Sequence, residues 1–169
     1  RISMIILENV SKYYPTKFGR NYVLRDVSIT LPRDRNIGIL GVNGAGKSTF
    51  LRLAAGILKA DEGHVTIDGE EVFENIKAKK KFFYIPDDAH FFSNASPLDM
   101  MEYYSVVYER FDKARFHKLM GNFGLDEKRK IHTFSKGMKK QVSVILGICS
   151  NTDYLFCDET FDGLDPVMR

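Results

Sequence analysis

Between Tyr22 and Leu31 apolar and polar residues alternate. Val23, Val27, Ile29 and Leu31 share one side, the pattern of a half-buried antiparallel strand. Ile5 to Val10 reads as another strand, turning into a polar, basic loop at Tyr13-Tyr14-Pro15. Asn36-Ile37-Gly38-Ile39-Leu40 is short and apolar, as a buried strand would be, and Phe50 to Ala55 reads as a helix ended by Gly56. Asp61-Glu62-Gly63 marks a turn, Val65-Thr66-Ile67 a strand, and Asp68-Gly69 a hairpin turn. Phe82 to Ile85 is a continuous apolar run stopped by Pro86, consistent with a buried parallel strand. The pattern then changes. Ser96-Pro97 opens a helix to about Tyr108, Asp112 caps one that ends at Gly124, and Ser135 caps one that reaches about Cys149. Tyr154 to Cys157 is a further buried strand, ending in Asp158-Glu159. Helices set between core strands predict an α/β fold with an α-helical insert.

Composition adds limits. The chain has 169 residues with a net charge of +3, and its lysines are scattered, so nucleic acid is not expected as a partner. The basic run Lys77 to Lys81 reads as a solvated helix end. Cys149 and Cys157 both lie in apolar runs and read as reduced core thiols in a cytosolic setting. No apolar stretch approaches the ~20 residues of a membrane span, so a membrane role would come through a partner.

Gly41-Val42-Asn43-Gly44-Ala45-Gly46-Lys47-Ser48-Thr49 carries the chemistry. It fits G-x-x-x-x-G-K-[ST], a phosphate-binding loop set between a strand and a helix. Triphosphate oxygens need several backbone N–H groups at once, so the chain must curl tightly, and Gly41, Gly44 and Gly46 permit that. The helix N-terminus adds free donors and partial positive charge. Lys47 is suited to the β- and γ-phosphates and the Ser48 hydroxyl to Mg²⁺. Asp158 can serve as an acidic partner of that Mg²⁺, and Glu159 can orient or deprotonate an attacking water.

Phe134 to Gln141, followed by Asp162-Gly163-Leu164-Asp165, completes a series of motifs in which the whole chain resembles the nucleotide-binding domain of ABC transporters, of bacterial exporter type. The resemblance implies an α/β fold: a P-loop NTPase (RecA-like) core with N-terminal antiparallel strands and an α-helical subdomain. The core would comprise residues 1–86 and 151–169, and the helical subdomain with the signature helix residues 87–150. It implies ATP and Mg²⁺ as ligands and ATP hydrolysis coupled to transport. Gly41 to Thr49 would be the Walker A loop and Asp158-Glu159 the Walker B end, with Glu159 catalytic. Tyr14 would stack on adenine, with Tyr13 as the alternative. Ser135 and Gly137 stand in the signature that meets ATP held by a second subunit, so the implied working state is a head-to-tail dimer. Asp165 lies in the loop that crosses between subunits. The other implied partner is a transmembrane permease docked near residues 87–108, which places the protein peripherally on the cytoplasmic face of the membrane.

Departures are also visible. Lys136 and Met138 depart from the signature pattern, Thr160 replaces a proline, and Asp87 replaces the glutamine expected after the Phe82–Ile85 strand, where it can still bind Mg²⁺ or water. The family's γ-phosphate histidine lies on a strand beyond the D-loop, between the Walker strands. The histidines here, at 64, 90, 117 and 132, read as surface or helix residues. The chain is therefore read as a domain truncated at its C-terminus. Drug, peptide and polysaccharide export all remain open as the transported class. The alternative function is a non-catalytic nucleotide-binding or assembly module.

Overall fold

A computed structural model describes residues 4–33, 37–39 and 46–158. The chain divides into two compact units, residues 1–83 with 152–156 and residues 84–151 with 157–169.

In the first unit, β1 (Met4–Thr16) and β2 (Gly19–Pro32) form a long antiparallel hairpin. β3 (Glu62–Ile67) pairs with β1, and β4 (Glu70–Glu71) with β3, giving the sheet order β2-β1-β3-β4. Ile5, Leu7 and Val10 are all buried, although Leu7 and Val10 are three residues apart. A register shift between them restores the buried phase, and Asn9 sits there with φ 49°. Asn9 is held by bonds to Ser28 and Asp26. Gly63 of β3 passes this bulge so closely that a Cβ would lie 2.3 Å from the Glu8 and Asn9 carbonyl oxygens, which excludes any other residue. Asp68 and Gly69 turn the β3–β4 hairpin with φ 52° and 85°, as the sequence predicts. Tyr13-Tyr14-Pro15 is not a loop. β1 runs through it, because β2 supplies partners as far as Thr16 opposite Gly19. The described part of the apolar segment before the phosphate loop, residues 37–39, is not a strand, and Ile37 is 48% exposed. Among the described residues it joins neither sheet, and a strand without a ladder has nothing to hold it. Asn36 and Leu40 lie outside the described residues.

Helix α1 (Lys47–Ala54) buries Phe50, Leu53 and Ala54. The short α2 (Ile76–Lys79), capped by Asn75, carries the basic run with Lys77, Lys79 and Lys80 exposed; Lys81 pairs with Asp68 at 2.8 Å. Strands β5 (Phe82–Ile85) and β6 (Tyr154–Cys157) form a separate two-stranded sheet. The Tyr154 N–H donates to the Lys81 carbonyl and the Asp158 N–H to the Ile85 carbonyl; both strands advance together, so they are parallel. β6 is buried on one face only. Tyr154 and Phe156 are inside, Leu155 is 42% exposed, and Cys157 is exposed. The expectation that Cys157 is a core thiol is thereby corrected: period-two alternation turns it outward with Leu155.

The second unit contains α3 (Pro97–Val107), α4 (Lys113–Asn122), a 3₁₀ turn at Ile131–Thr133 and α5 (Lys136–Cys149). Ser96 and Asp99 form a reciprocal capping box, and Asp112 accepts from the Arg115 N–H. Such caps stabilise by about 1 kcal/mol each. Met100, Phe116, Met120, Ile145 and Leu146 are almost fully buried, and burial of side chains this size contributes roughly 1.5–3 kcal/mol apiece. The start of α4 is tied to the end of α5 by the Asp112 N–H donating to the Cys149 carbonyl at 2.8 Å and by Asn151 donating to the Arg110 carbonyl at 2.9 Å. Burial pushes the Cys149 thiol up to about 11.

Candidate functional site

In the first unit the site is built on the N-terminus of α1. Gly46 caps it in the left-handed conformation, φ 86°, with no side-chain cap bond and no acidic residue in the first turn. A Cβ on Gly46 would meet the Val23 carbonyl oxygen at 3.0 Å and the Leu24 side chain at 3.2 Å. Both conformation and space therefore demand glycine. Lys47, Ser48 and Thr49 form the first turn and are half-buried. The result is a helix that begins on a residue with no side chain to cap it and whose only charged first-turn residue is a lysine, which suits a bound anion. Gly41, Asn43, Gly44 and Ala45 lie outside the described residues.

Tyr13 and Tyr14 differ in their surroundings. The Tyr13 ring packs edge-on against Tyr22 at 5.3 Å and carries the Arg20 guanidinium 4.4 Å from its centroid. Tyr14 is 48% exposed, with the Lys12 ammonium 5.6 Å from its ring. Lys12 lies opposite Leu24, the residue beside Gly46. Asp61 holds this stretch of β1. It accepts from the Tyr13 N–H at 2.9 Å and pairs with Lys12 at 3.2 Å. The backbone bond first, and Lys12 after it, keep its carboxyl below the usual carboxylate range.

In the second unit, Asp158 follows β6 directly and is only 4% exposed. Its Oδ2 accepts from the Tyr84 hydroxyl at 2.7 Å. Asp87 is half-buried and follows Pro86, whose carbonyl accepts from the Lys140 ammonium of α5 at 2.9 Å. Ser135 caps α5, accepting from the Met138 N–H at 3.2 Å. A hydroxyl that accepts still has its O–H to donate. Ser135, Lys136 and Gly137 are exposed, and a Cβ on Gly137 would meet no heavy atom within 4 Å. The fold does not require this glycine. Glu159, Thr160, Asp162 and Asp165 lie outside the described residues. The four histidines are exposed, with His64 paired to Glu71 and His117 to Glu127.

Sequence reasoning missed Tyr84 and Lys140. Tyr84 was hidden in an apolar run, where its hydroxyl was the one polar signal. Lys140 carries no local signal, because its contact is with the Pro86 carbonyl far away along the chain.

The donor types suit magnesium. The Ser48 hydroxyl of the first unit and the Asp158 carboxylate of the second are each hard oxygen donors, and among the described residues no three His, Cys, Asp or Glu gather into a metal cage.

A glycine-started helix suited to an anion, in an α/β unit followed along the chain by a helical one, fits a P-loop NTPase fold. Residues 24–162 match the family described as ABC transporter, and the chain belongs to it. It is 34% identical to the ABC transporter ATP-binding protein YtrB of Bacillus subtilis (strain 168), over 98% of this chain and 56% of that protein. It is 30% identical to the linearmycin resistance ATP-binding protein LnrL of the same organism, over 98% of this chain and 54% of that one. The chain thus spans just over half the length of these relatives. A solved structure titled as the ATP binding subunit of an ABC transporter superposes with TM-score 0.81 at 24% identity, over 97% of this chain and 69% of that one, and bears on the fold. No helix among the described residues is long and apolar enough to cross a membrane.

Proposed function

We propose that this chain is the ATP-binding and ATP-hydrolysing part of a subunit that energises an ABC exporter. The observation that supports it most is the start of α1, where Gly46 is left-handed and wedged against β2 and Lys47 opens a first turn with no acidic residue. Helix N–H groups and the Lys47 ammonium would hold the β- and γ-phosphates. Tyr14, the more exposed tyrosine, would stack on adenine. Ser48 and Asp158, with Asp87 at the position where the family has glutamine, would hold Mg²⁺. When bound, that ion supplies neutralisation of phosphate charge. Glu159 would take the proton of the attacking water. Ser135 and Gly137 would meet ATP held by a second subunit in a head-to-tail dimer, and Asp165 would cross between the two.

A permease is proposed to dock on the segment 87–108, where Phe92, Tyr103 and Val106 are 54%, 45% and 84% exposed. The subunit would then sit peripherally on the cytoplasmic membrane face. The export direction draws on the resemblance of the sequence to bacterial exporter domains. The alternative, a non-catalytic module, draws on the departures at Lys136 and Met138. Steady-state ATPase activity of the full-length protein separates the two readings. Lys47→Ala tests the phosphate site. Loss of a charge-assisted contact costs roughly 1.5–3 kcal/mol, so ATP affinity should fall about tenfold or more. Unchanged affinity by calorimetry would reject the role given to Lys47.

A further inference from the structure

We propose that Tyr84 is a positioning residue that orients the Asp158 carboxylate for the magnesium of a bound nucleotide. The inference rests on the reading of Asp158 as a magnesium partner given above.

Tyr84 and Ile85 are neighbours on β5, and both grip Asp158. The Ile85 carbonyl accepts the Asp158 N–H at 2.8 Å, while the Tyr84 hydroxyl donates to Asp158 Oδ2 at 2.7 Å. One bond sets where the backbone of Asp158 lies, and the other sets the plane of its carboxylate. The O–H···O distance is at the optimum for such a bond. The next residue is anchored as well, since the Pro86 carbonyl accepts from Lys140 at 2.9 Å. Three consecutive residues of β5 and its exit are therefore pinned, and the phenol stands on a fixed base. Asp158 is almost completely buried, so its carboxylate must find donors inside the protein. Phenylalanine would fill the ring's space on β5 equally well, as Phe82 and Phe83 show by being buried in the same strand. What the hydroxyl adds is its bond to Asp158. Groups that hydrogen-bond a metal-binding carboxylate set its orientation, and their loss weakens metal affinity.

The test uses Tyr84→Phe in the full-length protein. ATP binding is measured by calorimetry in EDTA and across a series of free Mg²⁺ concentrations, with thermal unfolding as a check on folding. The Mg²⁺ concentration that half-saturates its effect on ATP affinity should rise about tenfold. ATP affinity in EDTA should match wild type, which a merely structural defect would not allow. In an Asp158→Asn background, Tyr84→Phe should have no further effect on the Mg²⁺ requirement. A Tyr84→Phe protein with the wild-type Mg²⁺ requirement overturns the proposal and leaves the reading of Asp158 intact. So does an equal loss of affinity with and without Mg²⁺. A wild-type protein whose ATP affinity ignores Mg²⁺ overturns the reading of Asp158, and the role of Tyr84 with it.

Discussion

Replacing Gly137 with alanine separates what the fold needs from what a partner would need. Gly137 is the second residue of α5, is exposed, and has no heavy atom within 4 Å of where a Cβ would stand. It is not among the residues with positive φ, so alanine fits its backbone. Glycine in a helix interior costs up to about 1 kcal/mol relative to alanine. In the first turn we take about half of that, which raises the melting temperature by about 1–2 °C. The same methyl would stand on the surface proposed to meet ATP held by a second subunit. Overpacking by a methyl costs about 1–3 kcal/mol, so the dissociation constant of the ATP-bound dimer should rise about 5- to 150-fold. The assay is light scattering against protein concentration in saturating MgATP, beside calorimetric ATP affinity and a thermal melt. The expected variant is slightly more stable, binds ATP as before, and dimerises poorly. Unchanged dimerisation would refute the reasoning, and a large loss of stability would show that the fold needs this glycine after all.

Tyr14→Ala should weaken ATP binding by ~1–3 kcal/mol, the worth of stacking on one base, while Tyr14→Phe should be nearly silent. Tyr13→Ala should leave affinity unchanged, and calorimetry showing the reverse order would transfer the role to Tyr13. Asp61 and Asp99 are both held below the usual carboxylate range, Asp61 chiefly by the Tyr13 N–H and Asp99 chiefly by the Ser96 N–H. A depressed folded-state value contributes stability above the unfolded value of about 3.9, and that stability is lost as pH falls through the folded value. Asp99→Asn should therefore flatten the fall in melting temperature below about pH 4, and an unaltered acid limb would count against the capping box.

Much of this was legible from residue types with one local meaning. Ser96-Pro97, Asp112 and Ser135 each cap a helix where the sequence puts one, because a cap needs only its own next three residues. Asp68-Gly69 turned out to be a hairpin for the same reason. Failures came where a distant neighbour decides. Tyr13 to Pro15 looked like a loop but is extended by its pairing with β2. Residues 37–39 looked like a strand but lack a ladder among the described residues. Cys157 looked buried in an apolar run of four, yet it alternates outward. Within the site, the exposure of Ser135 to Gly137 and the bond from Tyr84 to Asp158 depend on tertiary placement, which no spacing along the chain encodes.

Among the described helices of eight residues or more, the N-termini fall into two kinds, and the difference bears on function. α3 begins with Ser96 and Asp99 satisfying each other's donors, and α4 begins on the Asp112 carboxylate. Both are electrostatically complete, because a carboxylate already faces the positive end of the helix. α1 begins on glycine with no side-chain cap, followed by Lys47. α5 begins on the neutral Ser135, followed by Lys136 and, one turn on, Lys139 and Lys140. No first-turn residue of either helix is acidic. A lysine at that end opposes the dipole at a cost of roughly 0.3–1 kcal/mol, and the cost is removed when an anion occupies the helix end. Lys136 departs from the family's signature pattern, but it adds positive charge at the exposed helix start proposed to meet ATP. That charge is easier to reconcile with a signature that still meets ATP than with a module that has lost the contact.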